Sequence, residues 1–256
     1  MLFQAAVIVL LLLIAALLLV QLRRGRQHDQ AIADLPGNIE AGTRRLFAQI
    51  EAYLSLRDRL GLRQGLPYSH NWSAAADFLK LIVEHALVAK PATIVECSSG
   101  LTTLMLARCC EMNGRGEVFS LENGAEYAAG TRAEIARYGL EDRATVIDAP
   151  LTSRTLAGQE YRWYALDDLP DRSIDMLVID GPPGFIQRHS RYPALPLLFD
   201  RLADGGVVYL DDAARPDERE LVAMWLAQFP AFEHEYVGTE RGCSILRLRR
   251  NRTRAA

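Results

Sequence analysis

The chain has 256 residues, half of them hydrophobic, and a formal net charge of −3. This length fits one sizeable α/β domain plus appendages, because domains usually run about 100–200 residues. The negative balance disfavours nucleic acid as a partner, and the four cysteines lack the spacing of a metal cluster, which predicts reduced, mostly buried thiols.

An apolar run stands near the start of the sequence. Residues 5–20 contain no polar side chain, and the apolar character extends over 2–22, close to the roughly 20 residues that cross a bilayer as a helix. A cleaved signal peptide is the alternative, but no Lys or Arg precedes the run. Residues 2–22 are therefore predicted to form one transmembrane helix. Arg23, Arg24 and Arg26 follow it at once, so the bulk of the chain is predicted to face the cytoplasm from the inner membrane, with the lipid bilayer as a partner.

The next segment, residues 23–65, has two kinds of pattern. Its first part is polar and interrupted by Pro36, Gly37 and Gly42, which is the composition of a linker. Apolar residues then recur at helical spacing over 43–60. We therefore predict a linker followed by an amphipathic helix.

Helical and strand patterns alternate strictly over residues 66–250, as in βαβ units with a largely parallel sheet. Helices are predicted over 73–89, 102–112, 127–138, 194–202 and 216–229, and strands over 93–97, 117–121, 144–148, 176–179 and 207–210. Two further runs, 232–237 and 244–248, predict a C-terminal antiparallel hairpin. The pattern predicts an α/β domain with a Rossmann-like, seven-stranded, mostly parallel sheet, and leaves residues 251–256 as a basic tail.

The loop after the first strand of this domain is built from small residues. Glu96 stands near the end of the strand, Ser98, Ser99 and Gly100 follow, and Thr102 opens the next helix. Small residues let the backbone approach a ligand, and the helix presents its N–H groups. A nicotinamide-binding loop would carry G-x-G-x-x-G, which is absent, so a dehydrogenase is disfavoured.

Polar side chains also follow the second and third strands. Glu122 and Asn123 come after the second strand, and Asp148 and Ala149 lie at the end of the third. An acid one βα unit beyond the ligand loop accepts hydrogen bonds from ribose hydroxyls in nucleotide-binding folds. The competing interpretation is that both acids are solvated loop residues.

The fourth and fifth strands bring carboxylates to the same edge of the sheet. Asp180 follows one strand, and Asp211 with Asp212 follows the other. Three carboxylates at one place repel one another unless a cation lies among them, and oxygen ligands of this type suit Mg²⁺ or Ca²⁺. These three residues are therefore predicted metal ligands, the alternative being that Asp211 and Asp212 belong to a solvated turn before a helix.

The ligand loop resembles the first motif of class I S-adenosylmethionine-dependent methyltransferases. Glu96 takes that family's acidic position and Gly100 the glycine beside the cofactor, whereas Ser98 stands where a first glycine is common. The resemblance implies that Glu122 binds the ribose, and Asp148 or Ala149 the adenine, of S-adenosylmethionine.

A longer string of motifs carries the same resemblance over residues 66–249. It runs from 180–184 through 191–196 and 210–212 to 215–219, and it resembles a bacterial branch of the class. The acidic residues look like the metal site of cation-dependent O-methyltransferases such as catechol O-methyltransferase. In that comparison Asp180 matches the first acid, Asp211 the second, and Asp212 falls where Asn is common.

The resemblance implies an enzyme that methylates an oxygen atom of a small-molecule or envelope-related acceptor. Asp180, His70 and His189 are the candidate catalytic bases, because a histidine titrates near neutral pH and Asp180 lies at the predicted site. Each histidine also has a plainer interpretation as a polar surface residue. Because Ser98 departs from the family pattern, a membrane-tethered binding or scaffold module with a degenerate cofactor site stays open as the alternative function.

Overall fold

The computed structural model describes residues 2–62 and 73–250, without the side chains of residues 2, 3, 5–10 and 31. The first element is one continuous helix, α1 (Leu2–Leu60), with Pro36 inside it. The structure thus has helix where a linker was predicted. A proline removes one backbone hydrogen bond and costs about 3 kcal/mol, while the many Ala, Leu, Arg, Gln and Glu residues around it favour helix.

No helix among the described residues combines the length and apolarity that crossing a membrane requires. The predicted span 2–22 includes residues 2, 3 and 5–10, whose side chains lie outside the described set. The transmembrane helix therefore stays a prediction.

The chain divides between Ala48 and Gln49 into two compact units, and the second unit carries the α/β domain. Its helices after α1 are α2 (Ala76–Ala89), α3 (Leu101–Met112), α4 (Ala125–Arg137), α5 (Ala194–Leu198) and α6 (Pro216–Gln228). Its strands are β1 (Thr93–Cys97), β2 (Glu117–Glu122), β3 (Ala144–Asp148), β4 (Leu151–Leu156), β5 (Gln159–Tyr164), β6 (Ile174–Ile179), β7 (Leu202–Leu210), β8 (Phe232–Val237) and β9 (Cys243–Leu248). The predicted helix over 194–202 ends early, because a short 3-10 helix, Phe199–Arg201, leads directly into β7.

Seven strands form one sheet in the order β3-β2-β1-β6-β7-β9-β8. The first five in this order run parallel, and β9 runs antiparallel to both β7 and β8. The predicted mostly parallel sheet with a C-terminal hairpin is thereby confirmed. Strand order reverses between β1 and β6, and open α/β sheets bind ligands at such a reversal, beyond the carboxyl ends of the strands.

A separate hairpin of β4 and β5 was not predicted. Ala157 and Gly158 form its two-residue connection with φ of 49° and 78°, the left-handed conformation that tight hairpin turns need. Tyr161, Trp163 and Tyr164 on β5 are buried. The hairpin therefore adds aromatic side chains to the core beside the sheet.

The core lies on both faces of the sheet, and the pleat of β1 decides which side chain faces which layer. Ile94 packs in the cluster that contains α2 and α3, while Val95 and Cys97 pack in the cluster that contains β5 and α6. Burying an aliphatic side chain of this kind contributes roughly 1.5–3 kcal/mol. Glu96 shares the parity of Ile94, so its side chain is directed toward α3.

Candidate active site

A cavity of about 530 Å³ lies at the carboxyl ends of β1, β2 and β6. Its volume falls in the range of small-molecule sites, roughly 300–1,000 Å³. The predicted site residues that line it are Ser98, Ser99, Glu122, Asn123, Asp180 and Asp212. The edge of the sheet that was predicted to hold the site therefore does hold a cavity.

The loop after β1 keeps an unusual backbone conformation. Ser98 has a φ of 108° and Gly100 a φ of 151°, a region that glycine adopts readily and other residues at a cost of about 1–3 kcal/mol. The Ser98 N–H donates to the carbonyl oxygen of Leu121 at 2.9 Å, which fixes the loop to β2. Ser98 thus adopts the backbone geometry that a glycine would supply, and its side chain lines the cavity.

Glu122 is held firmly at the end of β2. Its Oε2 accepts from the Ser99 N–H and hydroxyl, both at 3.0 Å, and its Oε1 accepts from the Gly124 N–H at 2.8 Å. A carboxylate offers about four lone-pair sites, so capacity to accept a further hydrogen bond remains. The residue lines the cavity, so this capacity is available to a ligand hydroxyl.

Glu96 and Thr102 do not line the cavity, unlike the prediction. Glu96 is fully buried and accepts hydrogen bonds from the hydroxyls of Thr102, of Thr103 at 2.5 Å and of Ser120 at 2.7 Å. The pleat of β1 turns its carboxyl under α3 rather than toward the cavity. Glu96 therefore joins the first turn of α3 to β1 and β2, and it supports the ligand loop from below.

This burial leads to a pH-dependent stability. Burial is the main factor that raises the pKa of Glu96 from 4.5 to about 7, so the folded state holds its proton more tightly than the unfolded chain does. The contribution of protonated Glu96 to the free energy of unfolding is therefore fully present below pH 4.5. It falls by roughly 3 kcal/mol as the pH rises from 4.5 through about 7. We expect Glu96→Gln to remove this dependence, so that its melting temperature relative to the wild type rises between pH 4.5 and pH 8. Parallel pH profiles of the two proteins would contradict the assignment.

The end of β3 contributes nothing to the cavity lining. The Asp148 carboxylate pairs with Arg132 at 2.8 Å and is mostly exposed, whereas Ala149 is buried and donates its N–H to the Glu122 carbonyl at 2.7 Å. The implied adenine contact at Asp148 or Ala149 is therefore not among the residues around the cavity. Asn123, which follows β2, is among them.

The three acidic residues predicted as metal ligands do converge. One carboxylate oxygen from each of Asp180, Asp211 and Asp212 lies within 4.8 Å of the others. Burial is the main factor that raises the pKa values of Asp180 and Asp211. Their proximity creates the mutual repulsion that a neighbouring positive charge must offset.

That positive charge is present in the chain itself, as the buried guanidinium of Arg191. Its Nη2 lies 2.8 Å from Asp212 Oδ2 and 3.3 Å from Asp180 Oδ1. Its nitrogens also donate to the carbonyl oxygens of Asp180 and Asp211, both at 2.8 Å. A divalent ion about 4 Å from a guanidinium would be repelled by roughly 8 kcal/mol at an effective dielectric constant of about 20. Arg191 therefore supplies, within the chain, a positive charge among the three acids.

Of the two predicted histidines, His189 is not brought to the cavity. His189 lies outside its lining, and its Nε2 is 2.8 Å from Glu220 Oε2 on α6. A ring engaged there does not face a ligand, so the structure does not support His189 as a base. His70 lies outside the described residues. Asp180, which lines the cavity, is the remaining predicted base.

Ten residues of the cavity lining were not predicted as site residues: Tyr127, Tyr164, Gly181, Pro183, Gly184, Phe185, Ile186, Arg191, Arg215 and Arg241. Tyr164 belongs to the hairpin that was not predicted. The sequence feature that could have indicated this hairpin is the Ala157-Gly158 turn before a run in which polar and apolar residues alternate. The need for a cation among the acids pointed toward Arg191, because it stands in the loop that follows Asp180. Nothing in the local sequence marks Arg241, which reaches the cavity from the connection between β8 and β9.

Comparisons with known proteins agree with this geometry. A family model described as "Methyltransferase domain" matches residues 95–213. The fold is similar to the SAH-bound methyltransferase PaMTH1 of Podospora anserina, with a TM-score of 0.56 and 17% identity over 78% of this chain and 88% of that chain. It is also similar to an O-methyltransferase from Bacillus cereus in complex with SAH, with a TM-score of 0.53 and 16% identity over 78% of this chain and 91% of that one.

A third similar structure is the O-methyltransferase TomG from Streptomyces achromogenes in complex with SAM, with a TM-score of 0.53 and 14% identity over 79% of this chain and 90% of that one. No curated protein matches by sequence. At such low identities the solved structures show the fold alone. The family match over residues 95–213, on a sheet of this order, confirms the resemblance to class I S-adenosylmethionine-dependent methyltransferases.

Proposed function

We propose that the domain transfers the methyl group of S-adenosylmethionine to an oxygen atom of a small acceptor. The observation that carries this proposal is the position of Glu122, whose carboxylate is oriented by Ser99 and Gly124 and lines the cavity beside the loop of residues 98–100. Two of the similar structures are O-methyltransferases, which supports oxygen as the atom that is methylated.

The cofactor half of the cavity is the part around Glu122, Asn123 and Tyr127. Glu122 would accept hydrogen bonds from ribose hydroxyls, and a carboxylate makes such bonds stronger than a neutral group does. The Tyr127 ring lies so close to Gly124 that a Cβ there would stand 2.7 Å from its Cδ2. The backbone N–H groups of the loop and of the first turn of α3 would face the anionic end of the ligand.

Asp180 is the residue that we assign to the acceptor. The cofactor supplies an electrophilic methyl group, and the chain positions the acceptor and removes its proton. Asp180 lines the cavity, and burial raises the pKa of its carboxyl, which makes the ionised form a stronger base. Its orientation is fixed by Arg191, which donates to both its backbone carbonyl and its side chain.

The acceptor is proposed to carry an anionic group, because two arginines line its side of the cavity. Arg241 makes no side-chain hydrogen bond or ion pair with any residue of 2–62 or 73–250, whereas Arg215 is half-exposed and pairs with Asp212 at 2.9 Å. A free guanidinium favours carboxylate or phosphate as its partner. Incubation with deuterium-labelled methyl donor and a cell extract, followed by mass spectrometry, should reveal labelled products that are anionic.

Direct binding tests the cofactor assignment. We expect isothermal titration of the full chain with S-adenosylmethionine, and with S-adenosylhomocysteine, to show one site per chain, and titration with NADH to show none. Binding of NADH would indicate a nicotinamide enzyme instead. Absence of binding by both methyl-donor forms would favour the alternative, a binding or scaffold module with a degenerate site.

Membrane anchoring through residues 2–22 is the second part of the proposal. It is supported by the apolar run of the sequence and by Leu11, Leu12, Leu17 and Leu18, each more than half exposed on α1. Exposed apolar surface of this extent favours an apolar partner.

Topology can be measured with a fusion protein. Because basic flanking residues stay on the cytoplasmic side, a C-terminal reporter that works only in the periplasm should stay inactive. The full chain should sediment with membranes, and a variant that lacks residues 2–22 should not. An active periplasmic reporter, or a full chain that stays in the supernatant, would contradict the anchor.

A further inference from the structure

The buried guanidinium of Arg191 occupies the centre of the acidic cluster at the cavity wall. Arg191 is only 3% exposed, and each terminal nitrogen of its side chain is within 2.8 Å of an acceptor oxygen. It contacts both strand ends, after β6 through Asp180 and after β7 through Asp211 and Asp212. One side chain therefore links the two acidic segments.

Asp212 is neutralised on both of its oxygens. Oδ2 pairs with Arg191 at 2.8 Å, and Oδ1 pairs with Arg215 at 2.9 Å. Two guanidinium groups thus surround a carboxylate that is itself almost completely buried. Both guanidinium groups therefore compete with a metal ion for the oxygens of Asp212.

We propose that Arg191 takes the place of a divalent cation in this cluster and that the chain works without a metal ion. Arg191 is then a positioning residue: it offsets the repulsion among Asp180, Asp211 and Asp212 and holds Asp180 at the cavity wall. The proposal deepens the methyltransferase function proposed above, and it rests on that function for the role of the cavity. The placement of the guanidinium itself does not depend on which ligand the cavity binds.

The same geometry predicts what happens when the guanidinium is removed. Both carboxyl oxygens of Asp211 are buried without a hydrogen-bond partner among the described residues. Arg191→Met would leave these oxygens, with those of Asp180 and Asp212, close together and without the guanidinium, an arrangement of oxygen ligands that suits a hard cation. The variant should therefore lose stability and gain affinity for divalent cations, because the positive charge that lies between Asp180 and Asp212 would be absent.

The test measures Mn²⁺ binding by electron paramagnetic resonance and melting temperature by circular dichroism, on the full chain in EDTA and after adding Mn²⁺ or Mg²⁺. We expect the wild type to bind no Mn²⁺ at the cluster and to melt at the same temperature in either condition. Arg191→Met should melt several degrees lower in EDTA, bind one Mn²⁺ per chain and recover its stability with the cation. Arg191→Lys is the matched control, because it keeps a positive charge and should gain no Mn²⁺ site.

Two outcomes would overturn the proposal. One is stoichiometric Mn²⁺ binding by the wild type that Asp180→Asn abolishes, and the other is a folded Arg191→Met that binds no Mn²⁺. If Arg191→Met does not fold, the Mn²⁺ titrations of the wild type and of Arg191→Lys test the proposal in its place. Calorimetry with S-adenosylhomocysteine in EDTA tests the proposed function separately. If the chain does not bind that ligand, the proposed function is wrong, but the conclusion from Mn²⁺ binding is unchanged.

Discussion

Replacing Glu122 with alanine should weaken the affinity for S-adenosylhomocysteine by about a hundredfold or more. Two hydrogen bonds from ribose hydroxyls to a carboxylate are worth about 1.5–3 kcal/mol each, and each 1.4 kcal/mol corresponds to a factor of about ten. The side chain also anchors the Ser99 and Gly124 N–H groups, so its loss frees the loop that forms the cavity wall. Isothermal titration calorimetry measures the affinity, and circular dichroism confirms that the variant is folded.

Two variants control this experiment. Glu122→Gln keeps the shape and one carbonyl acceptor, so its affinity should fall between those of the wild type and the alanine variant. Asp148→Asn changes the acid at the end of the neighbouring strand, where the carboxylate pairs with Arg132 outside the cavity, and its affinity should match the wild type. Equal losses for Glu122→Ala and Asp148→Asn would mean that the ligand extends toward β3 and that the ribose position is wrong.

The sequence was sufficient to predict the sheet and the edge that carries the site. Each strand is a short apolar run followed by a polar residue, and parallel strands bring their carboxyl ends together. Glu122, Asp180 and Asp212 could therefore be located from strand ends alone, and all three line the cavity.

Side-chain direction was the part that strand patterns did not settle. Glu96 lies one residue before the end of β1, and that single step turns its carboxyl beneath α3. Gly100 was expected to matter because the backbone approaches a ligand there. In the structure the φ of Gly100 is +151°, so conformational strain is a further constraint at this position, and the close approach to a ligand stays a prediction.

Long-range pairing was equally invisible in the sequence. Arg191 stands 11 residues after Asp180 and 20 residues before Asp211 along the chain, and only the parallel pairing of β6 with β7 brings the three together. Carboxylates that repel one another indicate that a cation lies among them, but they do not indicate its kind. The sequence alone therefore could not distinguish an arginine side chain from a metal ion. The linker predicted around Pro36 is helical in the structure, because residues that favour helix on both sides outweigh one unfavourable position.

Gly181, the first residue after Asp180, gives the second large expected effect, through steric crowding. A Cβ at Gly181 would collide with the Tyr164 hydroxyl, and it would lie 3.0 Å from the Ser98 Cβ and 3.3 Å from the Cys97 carbonyl oxygen. Gly181 thus lies where β1, β5 and the loop after β6 approach one another closely. Gly181→Val should displace both the ligand loop and Tyr164, and overpacking of this kind costs about 1–3 kcal/mol.

We expect Gly181→Val to lower the melting temperature by roughly 2–12 °C, since a domain of this size loses about 2–4 °C per kcal/mol, and to weaken S-adenosylhomocysteine binding strongly because Ser98 moves. Gly184→Val is the matched control: it lies in the same loop and lines the same cavity, but a Cβ there meets no atom within 4 Å. Differential scanning calorimetry and titration calorimetry on both variants separate the two positions. If Gly184→Val is affected as much as Gly181→Val, general sensitivity of the loop explains the loss, and the close approach at Gly181 does not determine the shape of the cavity.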